Sequence, residues 1–283
     1  MKKIEITSNV NDKVLNVVSR NDISYSLANK LLRQKDIRVN NKKISENISV
    51  CVGDIITYFI PDELPKESTV EIVFENNFMI IVNKPKGIEV ESEGNNLLKK
   101  LKNFKKDENI FALNRLDRNT EGLTLFAKGK KNFEDIKNAM KNGQVQKFYL
   151  AEVVGTPSWN NKHSVSYLLK DEDKSEVKIL DFPKKDAVKI ETDFQVISRS
   201  SGGTSVVQAV IKNGKTHQIR AQLAHIGYPI VGDGKYGKNA DNKKFKTKTQ
   251  KLTCFKLVFN FTNNKFKEMN SENIEIKPSW MKI

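Results

Sequence analysis

Lys147-Phe148-Tyr149-Leu150-Ala151-Glu152-Val153-Val154 reads as a strand, whose side chains alternate between two faces with a period of two. In an extended chain that period sets Tyr149 and Ala151 on one face and Phe148 and Leu150 on the other. Several more strand patterns follow between residues 165 and 210, separated by polar turns such as Asp171-Glu172-Asp173 and Ser201-Gly202-Gly203. Strands joined by tight polar turns pair antiparallel, so the centre of the chain commits to a sheet. Glu71 to Phe74, an Asn76-Asn77 turn and Phe78 to Val82 predict a further hairpin, and Leu252 to Phe261 a last strand.

Helical spacing is more local. Leu97, Leu98 and Leu101 among Lys99, Lys100 and Lys102 predict a short basic amphipathic helix, and Phe133, Ile136 and Met140 a second, ended by Asn142-Gly143. Lys215 to Gly227 predicts a third, with Ile219, Leu223 and Ile226 inward and Gly227 as its stop. The fold class expected is therefore α+β: a mixed, mostly antiparallel sheet with flanking helices and a central cleft, preceded by a small module.

That module occupies residues 1–62. Ser24 or Ser26 can cap a helix whose Leu27, Leu31 and Leu32 share a face, and Ile37-Arg38-Val39, Asn40-Asn41 and Lys42-Lys43-Ile44 form a hairpin, since asparagine tolerates the positive φ of tight turns. Gly53-Asp54 turns into the strand Ile55 to Tyr58. The aperiodic, proline-containing PDELPKES from Pro61 to Ser68 marks the boundary, which gives a linker over 63–69 and a larger domain over 70–283. At 283 residues the chain is near the size, about 250 to 300, at which single cores stop growing.

The formal charge is +15. Residues 1–62 carry 10 Lys and Arg against 7 Asp and Glu, which leaves +12 for the remainder. Such self-repulsion is offset by a polyanion, and nucleic acid is the partner it suggests. The abundance of Lys and Asn fits codon bias as well, so charge alone leaves both explanations open. No run approaches the roughly 18 apolar residues of a membrane span, and MKKIEITSNV lacks the apolar core of a secretory signal, so a soluble, cytoplasmic protein is expected. Cys51 and Cys254 have no metal-ligand spacing and there are three histidines; two buried thiols and no metal site are expected.

One stretch is harder to absorb into a plain strand or helix: Phe111 to Lys128, FALNRLDRNTEGLTLFAK. If Arg115-Leu116-Asp117 is extended, Leu116 turns inward and Arg115 and Asp117 share the opposite face, beside an irregular turn at Glu121-Gly122. Taken alone, this is either a surface ion pair or a catalytic carboxylate. Asn83-Lys84-Pro85-Lys86-Gly87 forms a loop in which Lys84 and Lys86 hold phosphates or stay solvated. His217 and His225 lack a third ligand and read as structural or RNA-contacting, while Gly232-Asp233-Gly234-Lys235-Tyr236-Gly237 lacks P-loop spacing. The basic stretch from Lys243 to Lys251 is expected to be mobile.

Four segments in order, NKPKGIEVE, NRLDRNTEGL, KFYLAEVVG and KTHQIRAQLAHIGYPIVGDGKYG, resemble the RluA-type family of RNA pseudouridine synthases over about residues 70–260. SLANKLLRQKDIRVNNKKISENISVCVGD resembles the S4 RNA-binding domain, a frequent companion in that family. The resemblance implies an isomerase of selected uridines in RNA, working without a cofactor, with Asp117 as catalytic aspartate, Tyr149 against the target uracil, Arg220 paired with the aspartate and Arg115 filling the space of the flipped nucleotide. Lys84 and Lys86, and Lys30, Arg33 and Arg38 in the S4-like module, are the expected RNA contacts. Large-subunit ribosomal RNA is the expected substrate and a monomer the expected state. Transfer RNA, or a non-catalytic RNA-binding role in ribosome assembly, is the alternative. The family pattern has histidine where Asn114 stands and serine where Glu121 stands. Glu121 is expected to add a negative charge that disturbs RNA contacts.

Overall fold

A computed structural model describes residues 2–21, 23, 25–60, 70–171, 176–247 and 249–281. Two compact units divide the chain, residues 1–69 with 92–96 and residues 70–91 with 97–283. The stretch read as a linker, the Ser24 cap and most of the Asp171-Glu172-Asp173 turn lie outside the described residues, as do the side chains of Tyr25 and Ser26.

The first unit runs β1 (Lys2–Thr7), β2 (Asp12–Lys13), α1 (Val14–Ser19), α2 (Tyr25–Arg33), β3 (Ile37–Val39), β4 (Lys42–Lys43), β5 (Ser49–Val50) and β6 (Ile55–Ile60). Its described sheet has the order β1-β6-β3-β4. Leu27, Leu31 and Leu32 of α2 are buried with Val14, Val18, Ile37 and Ile56, so the leucine spacing reports the inward face. Asn40 and Asn41 both take positive φ, 50° and 64°, as the two-residue turn between β3 and β4 requires.

The second unit continues with β7 (Glu71–Glu75), β8 (Met79–Lys84), α3 (Leu97–Lys105), β9 (Ile110–Ala112), β10 (Glu121–Lys128), α4 (Lys130–Lys141) and β11 (Val145–Val154). Then come β12 (Asn161–Asp171), β13 (Glu176–Leu180), β14 (Val188–Arg199), β15 (Thr204–Ile211), α5 (Gln218–His225), α6 (Asn239–Lys244), β16 (Leu252–Phe259) and β17 (Ile274–Glu275). Among the described residues the main path of the sheet is β13-β12-β14-β15-β11-β16-β10-β8-β7, with β9 on β10 and β17 on β16. The antiparallel pairing expected between residues 165 and 210 is present as β12-β14-β15. β10 and β16 run parallel, with Gly122 opposite Cys254. A Cβ on Gly122, whose φ is +117°, would lie 2.2 Å from the Cys254 carbonyl oxygen, so this crossing excludes other residues.

Ile80, Val82, Leu123, Leu125, Phe126, Ala151 and Leu257 form the main core of this unit, with Leu97 and Leu101 of α3 and Ile136 of α4 closing over it. Burying side chains of this size contributes about 1.5–3 kcal/mol each against chain entropy. Three expectations are corrected. Cys51 is exposed, whereas Cys254 is buried. Part of the basic stretch expected to be mobile is ordered as the end of α6, Lys243 and Lys244, with Asn242 fastened to the Gly232-Asp233 turn by Gly232 N–H donating to its Oδ1 at 2.8 Å. Finally α5 faces the sheet with polar residues as well as apolar ones: Gln218 and Gln222 are buried beside Ile219 and Leu223, whereas Ile226 is half-buried and lies beyond its end. Among the described residues no helix is long and apolar enough to cross a membrane.

Candidate active site

Asp117 sits in the loop of residues 113–120, between β9 and β10, rather than in a strand. The inward turn of Leu116 is nevertheless as expected: Leu116 is buried, Arg115 is exposed, and the Asp117 side chain is 27% exposed. The loop is fastened at several points. Thr120 N–H donates to the Asp117 carbonyl at 3.0 Å, and the Gln250 amide donates to Thr120 Oγ1. Leu125 N–H donates to Asn114 Oδ1 at 2.8 Å, so Asn114 holds the loop against β10.

The neighbouring loop after β8 is tied to the same segment. Gly87 N–H donates to the Arg118 carbonyl at 2.8 Å, and Arg118 Nε returns a bond to the Gly87 carbonyl at 3.1 Å. Lys84 is fully buried, and its Nζ donates to the carbonyls of Pro85 (3.0 Å), Ile88 (2.9 Å) and Arg118 (3.2 Å). An ammonium has three N–H donors, and all three are used. Lys84 therefore does not reach a phosphate: it is an internal strut between two loops, which corrects its expected role. Burial pulls its pKa down to about 8, against the opposing charges of Asp117, Glu121 and Glu89.

Arg220 comes from α5, more than a hundred residues away in sequence. Its Nη1 donates to Asp117 Oδ2 at 2.7 Å. The rest of the guanidinium forms a fork on Asp233, Nε to Oδ2 at 2.7 Å and Nη2 to Oδ1 at 2.9 Å. Asp233 is fully buried and also accepts from Lys235 N–H and Tyr236 N–H at 2.9 and 3.1 Å. Burial opposes both charges of this pair, but the mutual hydrogen bonds overcome it: the Arg220 pKa is raised and that of Asp233 is held below the usual carboxylate value. One guanidinium thus joins a buried anchor to a half-buried carboxylate.

The setting of α5 explains how Arg220 is aimed. Gln218 Nε2 donates to the Glu191 carbonyl (3.0 Å) and to Thr192 Oγ1 (2.9 Å), Thr192 Oγ1 donates to Gln222 Oε1, and Gln222 Nε2 donates to Ser166 Oγ at 2.8 Å. A buried polar network fixes rotation more strictly than an apolar face, because each unmet bond costs about 1–3 kcal/mol. The residue leading into α5, His217, has φ 53°, a conformation rare for residues with a Cβ and costly by about 1–3 kcal/mol. That strain sets its Nε2 3.9 Å from Asp117 Oδ2, while its Nδ1 lies 2.9 Å from the Tyr236 hydroxyl. Burial holds the His217 imidazole below its usual pKa, with Asp117 opposing and Arg220 assisting. His225 is turned elsewhere and pairs with Asp181 at 2.8 Å.

Tyr149 stands on β11 at an irregular step in its pairing with β16, between Phe148 and Tyr149. Bulges of this kind re-aim side chains beside sites. It is 6% exposed and part of the core cluster. Burial, together with the Cys254 thiol and the Asp117 charge, raises the pKa of its phenol, while burial pushes Cys254 up to about 12. Tyr149 is thus a core side chain whose phenol feels the Asp117 charge.

Of the remaining expected contacts, Lys86 is partly buried, its Nζ 3.8 Å from Glu121 Oε2. In the first unit Lys30 and Arg33 are exposed in the last turn of α2, and Arg38 lies over the Phe59 ring at 5.5 Å. Glu121 is not at the surface: it is 7% exposed and accepts hydrogen bonds from Thr253 and Ser279, so its expected disturbance of RNA contacts is withdrawn. Asp233 and Tyr236 stand beside Arg220 and were not singled out from the sequence, and His217, read there as structural or RNA-contacting, lies next to Asp117. The signal for Asp233 was the glycine on each side of it, Gly232 and Gly234; a Cβ on Gly232 would lie 2.1 Å from the Thr249 carbonyl oxygen. Among the described residues no group of three or more His, Cys, Asp or Glu could hold a metal ion.

Comparison with known proteins identifies the family and the fold. The family model described as RNA pseudouridylate synthase matches residues 78–225, which include Asp117, Tyr149 and Arg220. The chain is 28% identical over 272 residues to the ribosomal large subunit pseudouridine synthase C of Buchnera aphidicola subsp. Schizaphis graminum, covering 89% of this chain and 86% of that protein. It is 29% identical over 279 residues to the protein of the same name from Pasteurella multocida, covering 92% and 85%. The solved structure of human RNA pseudouridylate synthase domain containing 1 superimposes with a TM-score of 0.61 at 21% identity, covering 76% of this chain and 84% of that one, and supports the fold.

Proposed function

This chain belongs to the RNA pseudouridylate synthase family, and on that premise we propose that Asp117 is the catalytic carboxylate of a uridine isomerase acting on ribosomal RNA of the large subunit. The reaction breaks the bond between ribose and a ring nitrogen of uracil and makes one to a ring carbon. The base loses one carbon-bound proton and regains one at the freed nitrogen.

The observation that carries the assignment is the chain Asp117, Arg220, Asp233. A carboxylate that attacks the sugar or base, or removes a proton, must be ionised and fixed in direction. Arg220 supplies the positive partner at 2.7 Å, and Asp233 keeps Arg220 from turning away. The Tyr149 ring offers an apolar edge against which an extracted uracil stacks. Arg115, exposed two residues before Asp117, fills the gap left in the RNA, offsetting part of the few kcal/mol that flipping costs. A protein that only binds RNA has no use for this arrangement, since a carboxylate facing phosphates weakens binding.

Relatives named for the large ribosomal subunit, matched over most of both chains, favour ribosomal over transfer RNA. We extend the proposal to a monomer working in the cytoplasm, with residues 1–62 as an S4-like RNA-docking module that uses Lys30, Arg33 and Arg38. Mapping pseudouridines in RNA from cells lacking the gene tests the substrate. Loss of modification at defined positions of large-subunit RNA supports the reading, and loss confined to transfer RNA moves the substrate there. An unchanged map in both refutes it.

A further inference from the structure

Glu121 is a carboxylate held almost out of water at the first residue of β10, four residues beyond Asp117. Its Oε1 accepts from Thr253 Oγ1 at 2.8 Å and from Ser279 N–H at 3.0 Å, and its Oε2 accepts from Ser279 Oγ at 2.6 Å. Trp280 Nε1 donates to Thr253 Oγ1 at 2.8 Å and closes the ring of contacts. Lys86 Nζ, from the loop tied to Arg118, lies 3.8 Å from Oε2. Three segments distant in sequence therefore converge on one side chain at the end of the Asp117 loop. A carboxylate saturated by hydroxyl and N–H donors is among the stronger polar anchors available to a fold.

We propose that Glu121, gripped by Thr253 and by the Ser279-Trp280 segment, is a positioning residue that sets the seat of the Asp117 loop. The proposal rests on the reading of Asp117 as the catalytic carboxylate. Two routes connect Glu121 to that loop. The backbone of Glu121 continues from Thr120, whose N–H donates to the Asp117 carbonyl and whose hydroxyl accepts from Gln250, so displacement of the grip moves the loop directly. The second route is electrostatic. Lys84 must keep three N–H donors for the carbonyls of Pro85, Ile88 and Arg118, and only the ammonium has three. The acidic groups facing Lys84 are Asp117, Glu121 and Glu89, while Lys86 and Arg118 are the basic groups on the loops around it. Glu121 thus helps hold the charge on the strut that ties the two loops.

Ser279→Ala combined with Trp280→Phe removes two donors while leaving the Glu121 charge in place, and Glu121→Gln removes the charge while keeping an acceptor. Both are assayed on RNA alongside Asp117→Asn, well below the midpoint of thermal unfolding and with the folded fraction measured. The double variant is expected to lower kcat about 10- to 100-fold, the scale of a misplacement near 1 Å, with KM within about twofold. Restoring the hydroxyl as Ser279→Thr in the Trp280→Phe background is expected to recover part of that loss. Glu121→Gln is expected to move the alkaline fall of kcat to lower pH, an effect that a loss of stability alone does not produce. The proposal is overturned if the folded double variant keeps kcat within about twofold of the parent, or if Glu121→Gln leaves the alkaline limb in place. An active Asp117→Asn overturns the parent reading instead, so the two failures are told apart.

Discussion

Arg220 Nη1 lies 2.7 Å from Asp117 Oδ2, across 103 residues of sequence, and the same guanidinium is forked onto the buried Asp233. One cation thereby serves two carboxylates in different environments. Lysine presents no such planar fork. Arg220→Lys is therefore expected to keep part of the stability but to release the direction of Asp117, lowering kcat/KM by about tenfold or more in RNA conversion assays. Arg220→Ala leaves Asp233 buried and unpaired and is expected to cost about 3–5 kcal/mol in urea unfolding.

Asp233→Asn tests the anchor from the other side. The folded-state pKa of Asp233 is depressed below its ordinary 3.8, so its contribution to stability is present in full above about pH 4 and is lost as pH falls through the depressed value. The substitution is expected to destabilise the protein by about 3 kcal/mol at neutral pH and to flatten the acid limb of the stability profile. Urea unfolding from pH 2 to 7 measures both effects.

Lys84 offers a different pH signature. As pH rises through about 8 its ammonium becomes an amine with too few donors for three carbonyls. Activity is expected to fall on the alkaline side near that pH. Lys84→Met is expected to give low activity without this limb, as read from kcat between pH 6 and 10.

Tyr149→Leu removes the flat ring proposed to stack on the uracil while keeping an apolar side chain on β11. Loss of a base-stacking surface is worth about 1–3 kcal/mol, so kcat/KM is expected to drop by roughly 5- to 150-fold while the fold persists, as judged by circular dichroism.

How far the sequence could be read depended on the distance over which each signal acts. Strand patterns placed β11 and the antiparallel region that holds β14 and β15, and leucine spacing placed the inner face of α2, because burial is written into neighbouring residues. Four ordered motifs pointed to Asp117, Tyr149 and Arg220; the fold pairs Arg220 with Asp117 and places Tyr149 in the core, its phenol within the influence of the Asp117 charge. Lys84, Glu121 and Asp233 were misread or passed over for a common reason. A charged side chain is expected at the surface unless its partners are known, and each of these has a partner beyond the local sequence, Arg118 for Lys84, Thr253 and Ser279 for Glu121, and Arg220 for Asp233. The polar inner face of α5 was missed likewise, since Gln218 and Gln222 find their partners on β12 and β14.

Conversion of uridine by Asp117→Asn addresses the central claim most directly. With RNA labelled by tritium at carbon 5 of uracil, pseudouridine formation releases the label to water, and RNA binding can be measured in parallel. The account predicts release at background with binding within a few-fold of the parent protein. Release at the parental rate by a folded, RNA-binding Asp117→Asn protein would contradict it.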